Sequence, residues 1–174
     1  MRTLFLLRHA KSSWDDPSLA DHDRPLAPRG WRAARRMAEH TRSAALRPEL
    51  VLCSSARRTR ETLEVLRPAL GEEVEVLVEE GLYGAGAGRL LDRLHRIPAA
   101  VDSVLLIGHN PGLHDLALEL TGDGEEDAVD MLRVKLPTGA LAQLDVNVTD
   151  WAQLAPGQAY LARLVVPRTL DADR

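Results

Sequence analysis

MRTLFLLRHAKSSW (residues 1–14) begins with a run of strand length, Thr3–Leu7, that is almost wholly apolar and then meets Arg8 and His9. Apolar residues on both alternating faces mark a strand covered on both sides, as in a parallel sheet. A guanidinium and an imidazole are then the first strongly polar groups beyond the buried stretch. Two later runs repeat the arrangement. Leu50–Cys53 is followed by Ser54-Ser55-Ala56-Arg57-Arg58, and Val104–Ile107 by Gly108-His109-Asn110-Pro111-Gly112.

Helical spacing separates these runs. Trp31, Ala34, Met37 and Ala38 predict a helix over Trp31–Ala45, following Gly30. Leu63, Leu66 and Leu70 predict another over Arg57–Leu70, and a short one covers Arg89–Arg96. Leu113–Leu120 reads as a helix with Asn110 as its cap and Pro111 at its first position. Val74–Val78 alternates with glutamates and reads as a more exposed strand. Gly122–Asp127 reads as a solvated acidic loop, and the segments around Leu132–Leu136, Ala140–Val148 and Gln158–Val166 as strands and turns. Such alternation predicts an α/β domain with a mainly parallel sheet. One domain is expected over residues 1–174, ending in a loose tail from about residue 167.

Composition narrows the function classes. The net charge is −4 and only 3% of residues are aromatic, so neither nucleic acid nor a membrane surface is the expected partner. Arg32, Arg35, Arg36 and Arg42 read as a solvated helix face, and Lys11 and Lys135 are the only lysines. Cys53 is the only cysteine, which suits a reducing compartment, and no apolar run approaches the ~20 residues of a spanning helix. A cytoplasmic protein is expected, with a compact monomer as the default. A thiol-based phosphatase needs C-x5-R, but Thr59 stands six residues beyond Cys53, so Cys53 reads as a buried strand residue. His22, His40 and His95 read as surface residues. His109 and His114 miss the i, i+4 spacing of two zinc ligands on one helix face, so no metal site is expected.

In open α/β sheets ligands bind beyond the carboxyl ends of the strands. If the three buried runs are parallel neighbours, two imidazoles and at least two guanidiniums share one rim. Those groups repel unless an anion joins them. Phosphate fits, because its oxygens accept bidentate arginine hydrogen bonds and because two helices start at the same rim.

At these residues the chain resembles the histidine phosphatase superfamily, the phosphoglycerate-mutase-like fold. LLRHAKSS looks like its Arg-His signature, with Ala10 where the family usually has glycine. DRPLAPRGWRAARRMA is similar to the RPLT-x-x-G helix start of short members. SSARRTRETLE resembles the S-x-x-x-R-x-x-x-T element and places the pocket arginine at Arg58, and GHNPGLHDLA places the second histidine at His109. The nearest likeness is to the compact SixA-type phosphohistidine phosphatases. The resemblance implies a three-layer sandwich with helices on both faces of the sheet. It implies that His9 is the nucleophile, held with Arg8, Arg58 and His109 around the phosphoryl oxygens, without cofactor or metal.

Glu80, in Glu80-Gly81-Leu82-Tyr83-Gly84, is the candidate general acid by the same likeness, against a solvated acidic run as the alternative. Arg24 lines the pocket mouth or pairs with Asp21 or Asp23. Ser54 caps the helix that carries Arg58 or touches phosphate. The expected substrate is a histidine-phosphorylated protein. Two alternatives stay open: a small-molecule phosphomonoesterase or mutase of the same fold, and a catalytically silent phosphate-binding module.

Overall fold

A computed structural model describes residues 1–171. Its elements are β1 (Arg2–Arg8), α1 (Pro28–Ser43), β2 (Leu50–Ser54), α2 (Arg57–Leu70), β3 (Glu75–Glu79), α3 (Ala87–His95), β4 (Ser103–Gly108), α4 (Gly112–Leu120), β5 (Thr121–Gly124), α5 (Glu126–Val134), β6 (Leu141–Val146) and β7 (Ala159–Val165). The strands form one sheet in the order β3-β2-β4-β1-β6-β7-β5. Four neighbouring pairs are parallel, and β6 alone runs against its neighbours β1 and β7. The expected mainly parallel α/β sandwich is the fold found.

Alternation along the central strands divides the core. Leu4, Leu6, Leu50, Leu52, Val104 and Leu106 face the layer holding α3, α4 and α5. Phe5, Leu7, Val51, Cys53, Leu105 and Ile107 face α1 and α2. Both faces are thus covered, which is why these strands read as continuous apolar runs. Burying a leucine-sized side chain contributes roughly 1.5–3 kcal/mol, so this double layer is the main source of stability.

Register then sets the site. Arg8 pairs with Gly108, Cys53 with Ile107, and Ser54 with Glu79 on the neighbouring strand. The His9 N–H donates to the Gly108 carbonyl at 3.1 Å, extending the β1–β4 ladder by one residue. The residues following β1, β2 and β4 therefore emerge at one level.

Several local readings need correction. α1 starts at Pro28, because Gly30 lies inside its first turn rather than before it. A Cβ at Gly30 would sit 2.0 Å from the Lys11 carbonyl oxygen, so this glycine serves a close approach of helix to loop. α4 starts at Gly112, and Asn110 does not cap it: its Nδ2 donates instead to the Leu136 carbonyl at 2.9 Å. The acidic loop at Gly122–Asp127 is in fact the edge strand β5 leading into α5. Gly122 lets that strand approach β7's preceding turn, since a Cβ there would lie 1.9 Å from the Gly157 carbonyl. α5 replaces the strand expected around Leu132, with Ala128 and Leu132 one turn apart and buried. The tail is not loose from residue 167: Pro167 is buried and Leu170 packs on the α1–α2 side of the core. Residues 172–174 lie outside the described residues. Among the described residues, no helix is long and apolar enough to cross a membrane.

Candidate active site

His9 and His109 face each other across the ends of β1 and β4, with ring centroids 5.3 Å apart. His9 is 7% exposed, and its Nδ1 lies 2.7 Å from the Ala10 carbonyl. A carbonyl only accepts, so the proton sits on Nδ1 and Nε2 keeps its lone pair. Burial pushes the His9 pKa down to about 3; the bond to Ala10 opposes this, and His109, Arg58 and Arg8 reinforce it. Burial, then Arg58, bring His109 down to about 4, with Asp21 pulling the other way. Both rings are therefore neutral at pH 7.

His109 Nε2 lies 2.7 Å from Ser54 Oγ, so the end of β2 orients the imidazole at the end of β4. Its Nδ1 is buried and has no hydrogen-bond partner. Arg8 donates from Nη1 to the Leu136 carbonyl at 3.1 Å, while its buried Nε has none. Desolvation, then Arg58, lower the Arg8 pKa. Two unpaired buried donors or acceptors beside two cations describe a site built for a polar ligand.

Arg58 projects from the first turn of α2 and is 7% exposed. Nη1 donates to the Asp21 carbonyl at 2.7 Å and Nη2 to Asp21 Oδ2 at 3.0 Å. The same carboxylate accepts the Tyr83 hydroxyl at 2.5 Å and Arg24 Nη1 at 3.0 Å. The Tyr83 bond, then Arg24 and Arg58, hold it well below the usual carboxylate range, although partial desolvation opposes them. Tyr83 also sets its ring edge-on to His109 and to His22, with centroids at 5.6 and 4.9 Å. His22 Nε2 in turn meets Ser55 Oγ at 2.9 Å.

The structure brings Arg8, His9, Arg58, His109 and Ser54 together. Ser54 does not cap α2, whose N-cap, Ala56, has no side-chain cap bond. Arg24 pairs with Asp21, donates to the Ser13 carbonyl and Ser12 Oγ, and lies flat against Trp14 at 3.2 Å. It braces the loop that delivers Asp21 to Arg58. Glu80 is exposed and opens a 3₁₀ turn, Glu80–Leu82, that leads into Tyr83. Its neighbour Glu79 is committed to Arg93 through bonds of 2.7 and 2.8 Å. Cys53 is fully buried, and desolvation pushes its thiol up to about 12. Asp21, His22, Ser55 and Tyr83 are the site groups that sequence reasoning missed; His22 lines the rim rather than plain surface. Among the described residues, no group of three or more His, Cys, Asp or Glu side chains is placed to hold a metal ion.

A family model of the histidine phosphatase superfamily (branch 1) matches residues 4–110, the segment that supplies Arg8, His9, Asp21, Ser54, Arg58, Tyr83 and His109. The chain belongs to this superfamily. Relatives match it over nearly its whole length. An uncharacterized protein of Mycobacterium tuberculosis is 38% identical over 164 residues, spanning 93% of this chain and 100% of its own. An uncharacterized chloroplast protein of Arabidopsis thaliana is 34% identical over 179 residues, spanning 95% of this chain and 78% of its own. Among solved structures, a protein of Nakamurella multipartitia, provisionally named phosphohistidine phosphatase SixA, superposes with TM-score 0.81 at 34% identity, covering 95% and 96% of the two chains. The protein histidine phosphatase SixA complexed with tungstate gives 0.75 at 25% identity, covering 97% and 99%.

Proposed function

We propose that this protein hydrolyses phosphohistidine on proteins, with His9 as the phosphoryl acceptor. The bare Nε2 of His9, fixed by the Nδ1–H bond to Ala10 and facing His109, carries the reading. A neutral imidazole attacks phosphorus without first losing a proton. The new bond is Nε2–P; the bond broken is the P–N bond of the substrate, whose imidazole leaves with the electron pair and takes up a proton. Water then attacks the phosphorus of phospho-His9, releasing inorganic phosphate and restoring the ring.

Arg8, Arg58 and His109 bind the equatorial oxygens, where negative charge collects. Asp21 holds Arg58 in place, and Ser54 holds His109. All these groups come from one chain, so a monomer suffices for the chemistry. A protonatable imidazole is an undemanding leaving group, so an exposed Glu80 is compatible with turnover. The likeness to SixA proteins supports the substrate class.

The test is to incubate enzyme with radiolabelled phosphohistidine protein and quench in base. A base-stable, acid-labile phosphoenzyme is expected, absent in His9→Ala, with turnover down about a thousandfold or more. Label retained by His9→Ala, or faster turnover of phosphorylated metabolites than of the phosphoprotein, overturns the reading. Activity is expected to survive EDTA and to be inhibited by tungstate.

A further inference from the structure

Only two of the chain's 22 basic residues are lysines, and both line the same cleft. Lys11 follows β1, and Lys135 follows α5. Arg29 and Arg36 enter from α1, seven residues and so two turns apart on one helix face. Arg168 closes the cleft from the C-terminal segment. The volume is about 490 Å³, and none of the lining residues is acidic. This concentration of cations stands out in a chain of net charge −4.

The cleft adjoins the active site through shared backbone. Leu136, next to Lys135, gives its carbonyl to Arg8. The Gly139 N–H, next to Thr138 of the cleft, donates to the carbonyls of both Arg8 and His9 at 3.0 Å. On the opposite wall the Ala27 N–H donates to the Lys11 carbonyl at 2.9 Å, and Gly30 packs against the same oxygen. The segments that form the cleft are those that hold Arg8 and His9. The cleft therefore lies beside the backbone that carries Arg8 and His9.

We propose that the cleft docks an acidic segment of the phosphoprotein substrate. The idea rests on the phosphohistidine reading above for the identity of that partner. Like charges gathered around one concavity repel, and an anionic partner relieves the repulsion. Arg29, Lys135 and Arg168 are exposed, which distinguishes this cleft from the buried donors that grip one phosphoryl group. Exposed cations of this kind suit an extended run of carboxylates. They act mainly on encounter rate and salt sensitivity rather than on chemistry.

The test uses Arg29→Glu/Lys135→Glu/Arg168→Glu, three exposed positions, checked for native fold by circular dichroism. Binding of a fluorescein-labelled Asp/Glu peptide, read by anisotropy at low salt, is expected to weaken at least about tenfold in the variant. KM for phosphohistidine protein is expected to rise about tenfold, with kcat and p-nitrophenyl phosphate turnover within about twofold of wild type. Equal peptide binding by both proteins overturns the proposal. So does tight binding of tripolyphosphate without peptide binding, which assigns the cleft to a small polyanion. Phosphohistidine turnover without peptide binding removes the docking proposal and leaves the proposed function standing. Peptide binding lost in the variant, with no phosphohistidine turnover by wild type, upholds an acidic partner and removes the proposed substrate.

Discussion

Ser54 Oγ and His109 Nε2, 55 residues apart in the chain, are joined by a hydrogen bond of 2.7 Å. Ser54 is fully buried. Ser54→Ala leaves a ring nitrogen without its partner, at a cost of about 1–3 kcal/mol. The expected result is a fall in kcat of roughly tenfold with KM little changed, because His109 is mispositioned in the transition state. Ser54→Thr, which keeps the hydroxyl, restores most of the rate. Steady-state kinetics on both variants, with urea denaturation to confirm folding, checks this.

Glu80 is exposed, and it precedes rather than joins the Asp21–Tyr83–Arg58 network. Glu80→Gln is expected to slow hydrolysis of phosphohistidine less than about tenfold. Phosphate esters, whose alkoxide needs a proton, should suffer more. A thousandfold loss on a phosphohistidine peptide would contradict the assignment of a substrate with a ready leaving group.

The two depressed histidines make stability depend on acid. Each has a folded pKa below 6.5, so the unfolded chain binds protons first as the pH falls. Their contribution is complete above about pH 6.5 and is lost progressively toward about 4 for His109 and about 3 for His9. Each ring gives a slope of up to about 1.4 kcal/mol per pH unit. His40, lowered by burial and then Arg163, acts in the same direction. Asp21, held low, adds its loss only once the pH falls below the usual carboxylate range. Urea midpoints at pH 7, 6 and 5 should fall steadily, and His109→Gln should flatten the trend.

Gly112 opens α4 three residues after His109, and a Cβ there would lie 1.9 Å from the Ala85 carbonyl oxygen. Backbone cannot swing aside as a side chain can. Gly112→Ala is expected to destabilise by about 2–3 kcal/mol and to lower activity by moving the loop between β4 and α4. Thermal melting and kinetics on the purified variant measure both effects.

The central strands were legible because they are buried on both faces and so read as uninterrupted apolar runs. Their polar endings, Arg8-His9, Ser54 to Arg58 and His109, placed the site at the rim where they meet. Asp21 and Tyr83 were not legible. Asp21 meets Arg58 from 37 residues away and Tyr83 meets Asp21 from 62, and nothing in their local spacing signals either contact. His22 looked like a surface residue because its partners, Ser55 and Tyr83, lie far away in sequence. The β5–α5 region misled for another reason. Glycine and acidic residues read as loop, yet Gly122 is there to let a strand edge approach another backbone, and Glu126 and Asp127 favour a helix start through the dipole.

Cys53 stands one residue before Ser54, yet its sulfur is sealed in the sheet with its proton held tightly. A phosphatase that relied on a thiolate would be silenced by hydrogen peroxide, which attacks the deprotonated sulfur. In the reaction proposed above the attacking atom is a ring nitrogen, and the chain's only thiol is buried with its proton held tightly. Phosphoryl removal by this protein should therefore continue through oxidative stress that halts cysteine-based signalling enzymes.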